Sequence, residues 1–187
     1  DPLQAAAAAE LDRIATGLTK PVPLFGKPKP VRGAYLVGAV GRGKTMLMDL
    51  FFEGTEVEPK VRAHFHEFMD DVHAAITDFR RSPKGREDDT DPVAAAVKSV
   101  LDDTRLLCLD EFQVQDITNA MLLGRLFGKL FDNGVTIVAT SNTLPDDLYE
   151  NGLNRQLVLP FIARLKDETE LVRLDGPTDY RRLKFEG

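Results

Sequence analysis

The 187-residue sequence predicts an α/β fold, a parallel sheet covered by helices on both faces. Three observations predict it. Short runs are apolar throughout, with no polar alternation; helical patterns separate them; and a glycine-rich octapeptide, Gly38-Ala39-Val40-Gly41-Arg42-Gly43-Lys44-Thr45, joins the first such strand to the helix after it. Uninterrupted apolar strands are what a sheet buried on both faces requires.

Residues 3–18 carry Leu3, Leu11, Ile14 and Leu18 at helical spacing and end near Gly17. The alanine run at 5–9 has no basic leader and is followed by Glu10, Asp12 and Arg13, so it reads as helix and not as a signal peptide. Pro21, Pro23, Pro28 and Pro30, with Gly26 among them, make an extended connector. The organisation expected is a leading helix over 1–18, a connector over 19–32 and a core domain over 33–187.

In that core, a strand at 34–37 leads to a helix from Lys44 to Phe52, a strand at 61–65 and a helix to Arg80. Residues 82–91 read as a solvated loop, 92–101 as helix and 105–109 as strand. Asp116 is the expected N-cap of the next helix, whose apolar face is Ile117, Met121, Leu122, Leu126, Phe127, Leu130 and Phe131, closed by Asn133-Gly134. A strand at 135–140, helix around 147–166 and a last strand at 171–174 complete five strands.

The octapeptide fits G-x-x-x-x-G-K-[ST], and its place between strand and helix is the context that gives the motif meaning. Glycines let backbone N–H groups turn inward around phosphate oxygens, and the following helix adds its positive end. Lys44 is expected to bridge the β- and γ-phosphates of ATP and Thr45 to give a hydroxyl to Mg²⁺, with Met46 next on the same helix.

Leu106-Leu107-Cys108-Leu109-Asp110-Glu111 is an apolar strand ending in two carboxylates, which a parallel sheet delivers to the crevice at its carboxyl edge. Asp110 is expected to hold Mg²⁺ through its water shell, and Glu111 to orient and deprotonate the attacking water. The strand at 135–140 brings Ser141 and Asn142 to the same edge, where a neutral amide can position that water; a Ser-Asn pair is also ordinary turn chemistry. His64 and His66 are expected on one face at a strand end, with His66 reaching toward Glu111 or simply packed. A metal on them is disfavoured, since His73 is the one further imidazole and no thiol is near.

A net charge of −6 leaves no overall electrostatic footprint for nucleic acid. The single cysteine, Cys108, forms no internal disulfide and sits among leucines as a core thiol. No apolar run is long enough for a membrane span. GTP specificity lacks its N-K-x-D segment. Two alternatives to ATP hydrolysis stay open: a small-molecule kinase, in which Glu111 would waste ATP, and an ATP-switched adaptor with little hydrolysis of its own.

Gly33-Ala34-Tyr35-Leu36-Val37-Gly38, His64-Phe65-His66-Glu67-Phe68-Met69, Asp110-Glu111-Phe112, Asp116-Ile117 with Ala120-Met121-Leu122-Leu123, Ala139-Thr140-Ser141-Asn142, and Asn151-Gly152-Leu153 with Arg155 together resemble the ZapE family of AAA+ ATPases over nearly the whole chain. The resemblance implies a P-loop NTPase three-layer sandwich with strand order 5-1-4-3-2, and ring-like homo-oligomers in which Arg155 acts as an arginine finger on a neighbour's site. It further implies cytoplasmic ATPases acting on polymers of the tubulin-like FtsZ in bacteria, and mitochondrial relatives in eukaryotes. The sequence reaches Gly187 shortly after the last strand, so the helical lid of AAA+ proteins is expected to be absent from this chain, and Gln113 and Gln115 depart from the family pattern around the acid pair.

Overall fold

The computed structural model describes residues 2–21, 24–25, 30–38 and 42–174. The expectations for Ala39, Val40 and Gly41, for the Arg42 side chain and for much of the connector fall outside the described residues.

Five parallel strands, β1 (Gly33–Val37), β2 (Lys60–His64), β3 (Leu106–Asp110), β4 (Thr136–Ser141) and β5 (Thr169–Arg173), form one sheet. Its order is β2-β3-β4-β1-β5, the expected 5-1-4-3-2 read from the other edge. The central strands β1, β3 and β4 are buried at every position. Gly33 of β1 approaches β4 so closely that a Cβ there would lie 1.8 Å from the Ile137 carbonyl oxygen.

Strand period two splits these apolar runs between two cores. Tyr35, Val37, Leu107, Leu109, Ile137 and Ala139 face a core shared with α3 (Phe65–Arg81), α4 (Pro92–Leu101), α5 (Ile117–Asp132) and α6 (Leu159–Glu168). Ala34, Leu36, Leu106, Cys108 and Val138 face α1 (Pro2–Leu18) and α2 (Arg42–Gly54), from which Leu11, Ile14, Met48 and Phe51 descend. Each such large side chain contributes about 1.5–3 kcal/mol on leaving water.

Local chemistry sets the helix ends. Asp91 accepts from the Val93 and Ala94 N–H groups at 3.0 and 3.3 Å, with Pro92 in the first turn of α4. Asp116 caps α5 through the Asn119 N–H at 2.8 Å, and Gly134, at φ 78°, turns the chain out of it.

Four expectations need correction. Phe65 is not the end of β2 but the first residue of α3, because the His64 side chain caps that helix by accepting the His66 N–H. His66 is therefore a helix residue. Met121 is 44% exposed; the buried face of α5 runs through Ala120, Leu123, Leu126, Phe127, Leu130 and Phe131. The helix expected around 147–166 is broken into 3₁₀ turns at Pro145–Asp147 and Arg155–Leu157 before α6, with Asn154 left-handed at φ 58°. The last strand accordingly starts at Thr169, two residues earlier than the apolar pattern suggests.

Candidate functional site

Because all strands are parallel, the residues leaving their carboxyl ends meet at one edge. A cleft of about 630 Å³ opens there, walled by Lys44, Thr45, Met46 and Asp49 of α2 on one side and by Asp110, Glu111, Thr140 and Asn142 on the other. A larger cleft of about 730 Å³ adjoins it and shares Asn142, but holds neither Lys44 nor the acid pair.

Lys44 stands in the first turn of α2 and is buried. Its ammonium donates to the Gly38 carbonyl at 2.9 Å and to Asn142 Oδ1 at 3.1 Å, so the cation lies between the carboxyl ends of β1 and β4. Gly38 and Gly43 flank residues 39–42 in the sequence; Met46 stands 57% exposed on the cleft wall.

Thr45 Oγ1 donates to Asp110 Oδ1 at 2.9 Å. The same carboxylate oxygen accepts the Thr140 hydroxyl at 2.6 Å, and Thr140 Oγ1 in turn accepts the Glu111 N–H at 3.0 Å. Thr140 is thus the tie between both acids. Glu111 takes φ 57°, unusual for a residue with a Cβ, and is held there by this bond and by the Phe112 N–H bonding the Thr140 carbonyl at 2.8 Å. That turn throws the Glu111 side chain, 63% exposed, out into the cleft, and drops Phe112 into an aromatic cluster with Tyr35, Phe65, Phe127 and Phe161.

Glu111 meets a histidine, but not the one expected. His64 Nε2 lies 2.8 Å from Glu111 Oε2, whereas His66 Nε2 pairs with the Gln113 amide at 2.7 Å. The reason is the helix start at Phe65, which turns His66 away while leaving the two rings stacked 5.6 Å apart.

Of the Ser-Asn pair, Ser141 performs turn chemistry, donating to the Phe112 carbonyl and accepting the Thr143 N–H, while Asn142 faces the cleft. Arg155 is elsewhere. Its Nη2 donates to the Asp146 carbonyl, and its Nε is buried without a hydrogen-bond partner among the described residues.

Sequence reasoning missed Thr140, Asp49 and Arg62. Arg62 pairs with Asp49 Oδ1 and stands 3.7 Å from Asp110 Oδ2. The available signal was period two on β2, which puts Arg62 on the same face as His64. Cys108, one turn of the pleat below Asp110, is fully buried, and that burial pushes its thiol up to about 12.

The sequence model of the family described as AFG1-like ATPase matches residues 1–186. Lactation elevated protein 1 homolog B of Danio rerio is 47% identical over 159 residues, covering 83% of this chain and 32% of that protein. Cell division protein ZapE of Escherichia coli K12 is 47% identical over 155 residues, covering 83% of this chain and 40% of that protein. The chain thus spans well under half the length of these relatives. Among solved structures, the DnaC helicase loader superposes with TM-score 0.60 at 13% identity over 92% of this chain and 90% of its own. AMPPCP-bound DnaA from Aquifex aeolicus does so with TM-score 0.54 at 16% identity over 84% and 46%. At such identities the structural likeness speaks for the fold alone, a five-stranded parallel sheet between layers of helices. The sequence match carries the rest: this chain belongs to the AFG1-like ATPase family.

Proposed function

We propose that this chain binds ATP with Mg²⁺ and hydrolyses its γ-phosphate in the cleft between α2 and the ends of β3 and β4. The observation that carries this reading is the Thr45–Asp110 contact of 2.9 Å, which joins the phosphate-loop helix to the acid pair with Lys44 and Glu111 on either side.

Backbone N–H groups of residues 38–45 and the amino end of α2 receive the phosphates, and Lys44 exchanges the Gly38 carbonyl and Asn142 for β- and γ-phosphate oxygens. Thr45 Oγ1 and Asp110 suit magnesium: both are hard oxygen donors, already adjacent, and few enough to leave the ion its waters. An ion held by these two residues would supply neutralisation of phosphate charge. Glu111 orients a water and takes its proton as oxygen attacks the γ-phosphorus and the bond to the β,γ-bridging oxygen breaks, releasing ADP. Asn142 helps place that water. Arg155 of one copy serves as the arginine finger of the next, which requires release from the Asp146 carbonyl.

The leading helix, connector and core of residues 33–187 form the ATPase part of a longer cell-division or mitochondrial factor, working in the bacterial cytoplasm or the mitochondrion. The ZapE relative's name supports the first setting, and FtsZ polymers are the client this resemblance favours. Among the described residues no helix is long and apolar enough to cross a membrane. Assembly into a ring completes the site. A second reading, an ATP-switched binding module, is favoured by one observation: Glu111 is bonded to His64 and Arg155 to its own chain, so a lone copy hydrolyses slowly.

Phosphate release by wild type, Glu111→Gln and Lys44→Ala tests the proposal. Glu111→Gln keeps ATP binding and loses most hydrolysis; Lys44→Ala loses both. Equal rates in all three would exclude catalysis at this site. ATP-dependent co-sedimentation with FtsZ filaments tests the client.

A further inference from the structure

Edge strand β2 lays Arg62 and His64, two residues apart on one face, beside the carboxylates that end β3, with Arg62 in register with Cys108 and His64 with Asp110. The mechanism above leaves Arg62 without a task. Its Nε pairs with Asp49 Oδ1, and its Nη2 lies 3.7 Å from Asp110 Oδ2. Asp49 follows Thr45 by one helical turn and lines the same cleft.

Asp110 therefore has its two oxygens divided. Oδ1 takes the Thr45 and Thr140 hydroxyls; Oδ2 faces the guanidinium. The cleft is lined by Asp49, Glu53, Asp110 and Glu111 against Lys44, an excess of negative charge where a polyanion is to bind. Lys60, the one lysine on β2, is turned to the carbonyls of Phe52 and Thr55 and does not relieve it. A guanidinium suits the task, since it is permanently charged and its forked donors can hold carboxylates from two elements at once.

We infer that Arg62 is a positioning residue and the resident counter-cation of the cleft, offsetting Asp49 and Asp110 while no divalent cation is held there. Nucleotide binding then keeps a component that does not depend on metal. With Asp110 engaged by magnesium, the guanidinium retains Asp49 alone and its influence on affinity shrinks. The inference rests on the ATP-binding reading above.

The test is the affinity of a fluorescent, non-hydrolysable ATP analogue for wild type, Arg62→Met and Arg62→Lys, measured in EDTA and in saturating Mg²⁺, with thermal melting of each variant. Arg62→Met weakens binding in EDTA by about 3- to 10-fold, the size of one partly exposed charge at this range, and by under about 2-fold in Mg²⁺. Arg62→Lys, which keeps the charge without the fork, falls between. Equal losses in the two media mark a merely structural role and overturn the inference, as does no loss in EDTA. Should Arg62→Met fail to fold, a loss confined to EDTA is required of Arg62→Lys. Wild type that fails to bind the analogue even in Mg²⁺ removes the ATP reading and this inference together; wild-type binding with Arg62→Met unchanged removes only the inference.

Discussion

His64 Nε2 stands 2.8 Å from Glu111 Oε2, and the tautomer of that imidazole is fixed from its other side, where Nδ1 accepts the His66 backbone N–H at 3.3 Å. With Nδ1 an acceptor, Nε2 carries the proton and donates to the carboxylate. A helix start thereby sets the orientation of the proposed general base. His64→Ala should lower turnover by about 10- to 100-fold, as expected when an orienting partner of a catalytic group is lost, with ATP-analogue affinity changed by less than about 2-fold. Steady-state phosphate release alongside equilibrium binding separates the two quantities, and a parallel fall in both would assign His64 to folding instead.

Thr140 is the second test of the acid pair. Its hydroxyl donates to Asp110 Oδ1 and accepts the Glu111 N–H, and it is 1% exposed, so Thr140→Val keeps the shape and strips both bonds. The buried Asp110 oxygen retains Thr45, while the Glu111 N–H loses its partner at a backbone angle that already carries strain. Denaturant unfolding should show a loss of about 1–3 kcal/mol. Turnover should drop further than that loss explains, because Glu111 no longer sits over the cleft. Thr140→Ser, which restores the hydroxyl, should recover most of the activity.

The contrast between these residues and those visible in the sequence has a physical origin. The meeting of Lys44, Thr45, Asp110 and Glu111 at one cleft was legible because the motif that suggested them has fixed spacing and a parallel sheet sends its strand ends to one edge, and the all-buried strands β1, β3 and β4 announced that sheet. Thr140 was hidden because a threonine inside an apolar strand is common, and only the β3–β4 register brings its hydroxyl to the acids. His64 and His66 were exchanged because β2 ends one residue earlier than its apolar pattern suggests, and a helical turn in place of a period of two swings His66 off the face that His64 keeps. The helix around 147–166 was overdrawn because its apolar residues do recur, while the left-handed Tyr149 and Asn154 break the backbone between them. Neither position holds glycine, so composition gave no warning.

Asp91 joins capping to charge. It accepts two N–H groups at the start of α4 and pairs with Lys129 of α5 at 2.7 Å, and the Lys129 hydrogen bond is the chief reason its carboxyl lies below its ordinary value. A folded-state value below the unfolded one means stability that is present above the ordinary carboxylate range and is lost as pH falls through the depressed value. Asp91→Asn keeps an acceptor for the cap and removes the charge, so its melting temperature should lie below wild type at pH 7 and converge with it in acid, once pH has fallen below the depressed value. Asp91→Ala should remain about 1 kcal/mol less stable even there, because the cap itself is gone. Melting curves of the three proteins from pH 2 to 7 decide it; a pH-independent gap for Asp91→Asn would remove the ion pair from the account.

Cys108 reports on the sheet that carries the site. Its side chain is fully buried on the face of β3 opposite Leu107 and Leu109, and burial raises its thiol to about 12 from an ordinary value of 9.0. The sign follows from linkage. The folded-state value is the higher one, so the contribution is complete below the unfolded value, and stability declines as pH climbs from about 9 toward 12, where the unfolded chain has released a proton that the native chain keeps. The thiolate is the nucleophile in alkylation, so native Cys108 should be inert to iodoacetamide at pH 8.5 and react only through opening of the β3–β4 centre of the sheet. Labelling rates followed by mass spectrometry across a urea series should track the unfolded fraction, and saturating Mg²⁺ with an ATP analogue should slow them by stabilising the native state. Rapid labelling without denaturant would place Cys108 outside the core and undo the packing described for β3, and with it the rigid strand end from which Asp110 and Glu111 project.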